Sequence, residues 1–388
     1  MAAFRVLAAP ASLRRGPSPT PRLATLTRMS TALKTRILAA ALSLLAALPL
    51  VQAQPARART FAPPPACHAV TPPTCAVAGA LGRGINLGNM LEAPREGDWG
   101  VRLEPAYIDQ VAGVFSTVRV PVRWSNHAAA TADAKLDETF AGRVDQVVDA
   151  LLAKGVYVII DMHHYNQLSG DTLHPNESPV DAAVMEQRLV SMWRQIALRY
   201  RDRSPKLLFE LLNEPHGRLN GEPWNRLAAQ ALAAVRASNP TRTVLIGPGE
   251  WNGVGELARL KLPPDRNLIV SIHNYDPFNF THQGVDYLAK PFPTGTPCCD
   301  ATQRQAIVTA LETARQWSVA NGYPLFLGEF GAYEAADLKS RETYTRIVRD
   351  EAERRGIPWA YWEFASTFGA YSPKKGGWVE PIRRALLD

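Results

Sequence analysis

The 388-residue chain has only four cysteines, no Cys-x-x-Cys pair and no His-Glu-x-x-His stretch. A zinc site therefore has no support in the sequence, and neither a metal nor an organic cofactor is expected. Acidic residues are missing altogether from positions 1–53, which carry seven basic ones: Arg5, Arg14, Arg15, Arg22, Arg28, Lys34 and Arg36. Of the 43 Lys and Arg in the chain, removing these seven leaves 36, against 36 Asp and Glu. The net charge of +7 belongs to that N-terminal stretch. The body of the protein is neutral, and no nucleic-acid partner is expected.

Long apolar runs are scarce too. The one of note, Ile37 to Val51, follows Lys34 and Arg36 and ends in Val51-Gln52-Ala53, small residues at the −3 and −1 positions of a cleavage site. It is short for a membrane span of about 20 residues. Residues 1–53 are thus expected to be an N-terminal extension and signal peptide, with Met29 as an alternative start and cleavage after Ala53. The mature protein is expected to be secreted or periplasmic, free of the membrane, and a monomer.

Residues 54–76, QPARARTFAPPPACHAVTPPTCA, read as a Pro-rich linker or loosely docked arm. Cys67 and Cys75 flank a short loop and could pair in an oxidising compartment. Cys298 and Cys299 are neighbours; a bridge between neighbours is strained, and no pairing is assigned to them.

From Val77 to Asp388 the texture is uniform. Eight short apolar runs recur: GRGINLG, TVRVPV, VYVIIDMHH, LLFELLNE, TVLIG, LIVSIHNY, PLFLGEFG and PWAYWEF. Between most of them lie segments with apolar residues at three- and four-residue spacing, such as FAGRVDQVVDALLAKG, which ends on a capping glycine, Gly155. Strands without clean alternation are buried on both faces, as in a parallel sheet covered by helices. Eight such units predict an α/β fold, a (β/α)8 TIM barrel forming one catalytic domain over 77–388. A doubly wound sheet would want a glycine-rich turn leading into a helix after its first strand. GRGINLGN leads into a loop instead.

In such a barrel the C-terminal strand ends share one pocket. Those ends carry Asn86, Asn89 and Glu92; Arg119, Arg123 and Trp124; Asp161, His163 and His164; Asn213 and Glu214; His273 and Tyr275; Glu329; and Trp362 and Glu363. Scattered surface charges would not choose one end of nearly every strand. Glu214 and Glu329 close the fourth and seventh runs, where they can face each other across the pocket. Glycoside hydrolysis needs such a pair, one acid to protonate the leaving oxygen and one carboxylate to attack or to activate water. His163 shares a strand face with Asp161 and is assigned to the pocket, His164 to its mouth. Trp99, Trp124, Trp251 and Trp362 fall in loops or at strand ends, where tryptophan faces can stack on sugar rings. Glu210 points inward by strand parity and needs a partner, Arg83 or Arg119.

RVPVRW, IIDMHHY, LLNEPHG, IHNYDPF, LGEFGAY and AYWEF, in that order and spacing, closely resemble glycoside hydrolase family 5, the cellulase-type barrels of clan A. LGRGINLGNMLEAPREGDWG and PFNFTHQG are similar to its bacterial endo-β-1,4-glucanase branch, some members of which also cleave β-mannans. The resemblance implies Glu214 as general acid/base and Glu329 as nucleophile. It implies Asn213 on the sugar 2-hydroxyl, Arg119 and Tyr275 as partners of the nucleophile, His163 and His273 in the same subsite, and Trp362 as stacking platform. Asn89, Glu92, His164 and His282 would touch neighbouring sugars. The implied partner is a β-glucan polysaccharide or oligosaccharide, cut at internal β-1,4 bonds with retention. β-Mannan, xyloglucan and mixed-linkage glucan are alternatives, as is a carbohydrate-binding barrel without turnover. Arg119 is expected to lower the pKa of Glu329, and the charge on Glu329 to raise that of Glu214.

Overall fold

The computed structural model describes residues 61–67 and 74–388; the expected export signal lies outside them. Eight parallel strands close into a barrel: β1 (Arg83–Asn86), β2 (Thr117–Val120), β3 (Tyr157–Asp161), β4 (Leu207–Glu210), β5 (Val244–Ile246), β6 (Leu268–His273), β7 (Leu325–Glu329) and β8 (Trp359–Tyr361). Each lies within one of the eight apolar runs, and β8 pairs back onto β1 through Gly84 and Ala360. The helices are α1 (Cys75–Leu81), α2 (Pro105–Ala112), α3 (Glu138–Ala153), α4 (Met185–Arg199), α5 (Glu222–Arg236), α6 (Ala301–Asn321), α7 (Leu338–Arg354) and α8 (Glu380–Leu387). Only short helical turns, Gly249–Asn252 and Val254–Arg259, join β5 to β6.

Alternation along each strand divides the core in two. Leu207 and Phe209, Val158 and Ile160, Val270 and Ile272 face the helices in the larger apolar cluster. Leu208, Ile159, Ile269, Leu245, Phe326 and Ala360 point inward and form a separate apolar layer at the bottom of the barrel. Ala78 and Leu81 of α1 pack into that layer from below. The Leu81 carbonyl accepts from the Thr117 hydroxyl at 2.6 Å and the Ser116 hydroxyl at 2.5 Å, tying the plug to β2.

Within the Pro-rich stretch, the described residues 61–67 and 74–76 pack on the barrel. Helix α1 starts at Cys75, and Ala66 and Thr74 are buried. The Ala62 amide donates to the Glu353 carbonyl, and Phe61 packs against the large core, so apolar side chains hold the arm down. Cys67 is bonded to Cys75. Cys298 is bonded to Cys299 across a cis peptide, a pairing the sequence reading left unassigned.

The inner layer fills the barrel floor without touching the upper pocket. Leu81→Ala is expected to cost about 2–5 kcal/mol through lost burial and the cavity left behind. Chemical denaturation of the variant and wild type measures it.

Candidate active site

Above the apolar layer the barrel interior turns polar, and it is organised by Arg119 on β2. The side chain is fully buried and makes four hydrogen bonds and a further ion pair. Nε donates to Glu210 Oε2 at 2.7 Å. Nη1 donates to Glu329 Oε1 at 2.7 Å and to Asn86 Oδ1 at 3.0 Å. Nη2 donates to Asn213 Oδ1 and lies 2.7 Å from Asp161 Oδ2. Of the two partners considered for Glu210, Arg119 is the one it meets; Arg83 pairs with Glu353 at the other end of β1.

Arginine can only donate, and that fixes its neighbours. The Asn213 oxygen faces Arg119, so its Nδ2 donates to His163 Nε2 at 3.2 Å. His163 must then carry its proton on Nδ1, which lies 3.1 Å from Asp161 Oδ2. Burial, Arg119 and Arg123 depress the His163 pKa well below the ordinary range, so the ring is neutral. One Asn213 N–H remains for a substrate hydroxyl.

Glu214 leaves β4 with left-handed backbone, φ 49°, and this turn rather than strand alternation aims its carboxylate at the pocket. Its Oε1 lies 2.7 Å from His273 Nδ1. The other ring nitrogen faces the buried Asn252 carboxamide at 3.2 Å. Glu329 enters at a register shift between β6 and β7, and its Oε2 accepts from the Tyr275 hydroxyl at 2.9 Å. Gly328 makes room for this: a Cβ there would come within 2.9 Å of both His273 Nε2 and the Ser271 hydroxyl. His273 Nδ1 is also 3.6 Å from Glu329 Oε2. Among the described residues, one oxygen each of Glu214 and Glu329 and one His273 nitrogen lie within 4.8 Å of one another. These three could also hold a cation, but each already serves the hydrogen-bond chain just described.

Burial, reinforced by Glu210 and Asp161 against the pull of Arg119 and His216, pushes Glu214 up to about 7. The expectation for Glu329 is corrected. Its pKa is also raised, because loss of water and the nearby Glu214 outweigh His273, Arg119 and Tyr275, each of which stabilises the carboxylate.

Trp362 is half-buried and stacks on His163 with ring centroids 5.6 Å apart. A Cβ on Gly88 would sit 2.8 Å from that indole, so this close approach needs glycine. Trp251 is 50% exposed and lies flat on His216, 4.6 Å away, on the Glu214 side. His164 and Trp99 meet edge to face at 5.5 Å, with Arg123 over the Trp99 ring. Asn89 is half-buried, with φ 64°.

Three expectations of sugar contact meet buried side chains. Glu92 is fully buried, and its carboxylate accepts from the amides of Asn89 and Met90, so it holds the loop that presents Asn89. His282 is 6% exposed, stacked on Phe278 at 4.0 Å and edge-on to Tyr275, and thus backs Tyr275. Trp124 is fully buried against Phe140 and belongs to the core. Asn252, Tyr287 and Phe278 were not singled out from sequence. Tyr287 is 66% exposed on the loop after β6; loss of water around its hydroxyl and, after that, the fields of Glu214, Tyr333 and Glu329 raise its pKa. Single residues in an aperiodic loop carry no signal of this.

A closed (β/α)8 barrel with two close carboxylates, one just past β4 and one at the end of β7, walled by half-exposed tryptophans, defines a site of the glycoside hydrolase class. The model of the cellulase family, glycosyl hydrolase family 5, matches residues 82–367. The chain belongs to that family. It is 36% identical to Endoglucanase H of Acetivibrio thermocellus over 284 residues, covering 73% of this chain and 29% of that protein. It is 32% identical to Cellulase/esterase CelE of the same organism, covering 78% of this chain and 39% of the other. The chain thus spans well under half of these two relatives. Among solved structures, Thermotoga maritima Cel5A in complex with cellobiose is 41% identical, with TM-score 0.74 over 79% of this chain and 97% of that one. Cel5A has also been solved with a mannotriose substrate.

Buried acids make stability pH-dependent. Burial raises Glu92 to about 8 and Glu363, which accepts from the Ala365, Ser366 and Phe368 amides, to about 7. With Glu214, each holds its proton to a higher pH folded than unfolded. Their contribution is therefore fully present below about pH 4.5 and is lost as pH rises through about 7 to 8. The buried histidines, whose pKa values are lowered, act in the opposite sense, so the test is a difference: by scanning calorimetry Glu363→Gln is expected to gain stability relative to wild type as pH rises from 5 to 8.

Proposed function

We propose that this protein is a secreted endo-β-1,4-glucanase that cleaves internal bonds with retention of configuration, Glu214 serving as acid/base and Glu329 as nucleophile. The observation that carries the reading is the placement of one oxygen from each carboxylate within 4.8 Å of the other. Retaining enzymes hold their carboxyl groups about 5–5.5 Å apart, whereas inverting ones leave about 6.5–9.5 Å for a water.

The remaining groups fit those roles. A glycosyl residue resting on Trp362 places its anomeric carbon over Glu329, whose two oxygens are aimed by Arg119 and Tyr275. Glu329 attacks that carbon as Glu214 gives its proton to the departing glycosidic oxygen. The C–O bond breaks, and the sugar remains as an ester on Glu329. With the negative charge of Glu329 consumed, Glu214 is easier to ionise and takes a proton from water. The hydroxide equivalent attacks the same carbon, restoring Glu329 and the original anomeric configuration. The free Asn213 N–H is suited to the 2-hydroxyl, and Trp251 to a sugar on the leaving-group side.

Export is supported by the charged, apolar and small-residue order of positions 34–53 and by the Cys67–Cys75 and Cys298–Cys299 bonds, which fit an oxidising compartment. Glucan as substrate is supported by relatives named endoglucanase. β-Mannan is the second reading, favoured by the mannotriose complex of Cel5A.

Glu329→Gln is expected to lower kcat on carboxymethyl cellulose at least about a thousandfold with the fold intact. Glu214→Gln should lose far less on aryl cellobiosides with acidic leaving groups than on glucan. Proton NMR of the first product should show the β-anomer; an α-anomer would overturn the mechanism. A panel of cellulose, mannan, xyloglucan and mixed-linkage glucan, read by kcat/KM, tests the substrate.

A further inference from the structure

Glu210 is a fully buried carboxylate that the reaction above does not use. It sits in register with Asp161 on the neighbouring strand, so both side chains point into the barrel side by side. Two carboxylates so placed repel each other, and Arg119 bonds both. The five acceptors around Arg119 divide unequally. Glu329, Asn86, Asn213 and Asp161 take the two terminal nitrogens, while Glu210 alone takes Nε. A guanidinium is planar and rigid, so fixing Nε fixes the directions of the other four N–H bonds. The second Glu210 oxygen accepts no hydrogen bond, so this carboxylate is dedicated to one partner.

We propose that Glu210 is a positioning residue for the hydrolytic site: it sets the plane in which Arg119 presents N–H groups to Glu329 and Asn213, and its fixed negative charge helps Glu214 keep the proton it must donate. The two effects act through different chemistry and separate by substitution. Glu210→Gln keeps an oxygen for Arg119 Nε and the same shape but removes the charge. Glu210→Leu removes the acceptor as well, leaving a buried N–H without a partner and the guanidinium held by its terminal nitrogens alone. The charge effect follows from the ion pair: Glu210 offsets part of the Arg119 charge, whose field would otherwise draw the proton off Glu214.

The inference rests on the retaining-hydrolase reading, and its test is separable from that reading. Wild-type activity on carboxymethyl cellulose and its loss in Glu329→Gln establish the reading first. In Glu210→Gln the alkaline limb of the kcat/KM profile is expected to move to lower pH by about half a unit or more, with KM within about twofold of wild type. A limb that coincides with wild type overturns the charge role, since a merely structural residue would leave it in place. Glu210→Leu is expected to lower kcat about a hundredfold with little change in KM. Equal kcat in Glu210→Leu and wild type overturns the positioning role. If Glu210→Leu does not fold, the kcat of Glu210→Asp decides the positioning role: its shorter side chain cannot hold Nε at the same distance, and a kcat equal to wild type overturns it.

Discussion

Arg119 is a buried donor ringed by five acceptor side chains, four hydrogen-bonded and one ion-paired, and the geometry of the pocket follows from that arrangement. A buried guanidinium must satisfy every donor, because an orphaned charged N–H costs more than the bond it would have made. Each acceptor is thereby pinned. Asn213 cannot turn its amide over, His163 cannot shift its proton, and Glu329 cannot swing away from the pocket. The cluster still carries more negative than positive groups. That surplus, together with burial, explains why Glu214 titrates near neutrality and why Glu329 is raised despite touching a cation.

The barrel makes such a cluster tolerable. Its lower interior is purely apolar, floored by α1, and its upper interior is polar, so charge and grease occupy separate storeys. The helices outside press on Leu207, Phe209, Ile160 and their equivalents, holding rigid the strands that carry Arg119, Asp161 and Glu210. Where a strand would aim its side chain the wrong way, the backbone departs from regularity: a left-handed residue at Glu214 and a register shift beside Glu329.

Legibility in the sequence divided along physical lines. All eight strands could be read because a strand covered on both faces must be apolar at successive positions, and LLFELL and YVIID are. Helices α3 to α7 showed through their three- and four-residue spacing. Helix α1 did not, because CAVAGAL is short, lies beside prolines and earns its place only by plugging a barrel. The polar strand ends could be found because the topology gathers them. Whether each reaches the cleft could not, since motif position says nothing of depth. Glu92, His282 and Trp124 sit in the expected segments yet lie beneath the surface. Asn252 escaped notice because it arrives on an irregular turn, next to His273 in space and 21 residues away in sequence. The sign of the shift on Glu329 failed for the same reason: an ion pair can be guessed from sequence, but the loss of water around it cannot.

With α1 and the inner apolar layer filling the lower end, the charged cluster faces water on the strand-end side alone. Whatever occupies that side strips water from Glu214 and Glu329 together, so the two carboxylates respond to an occupant as one unit rather than singly.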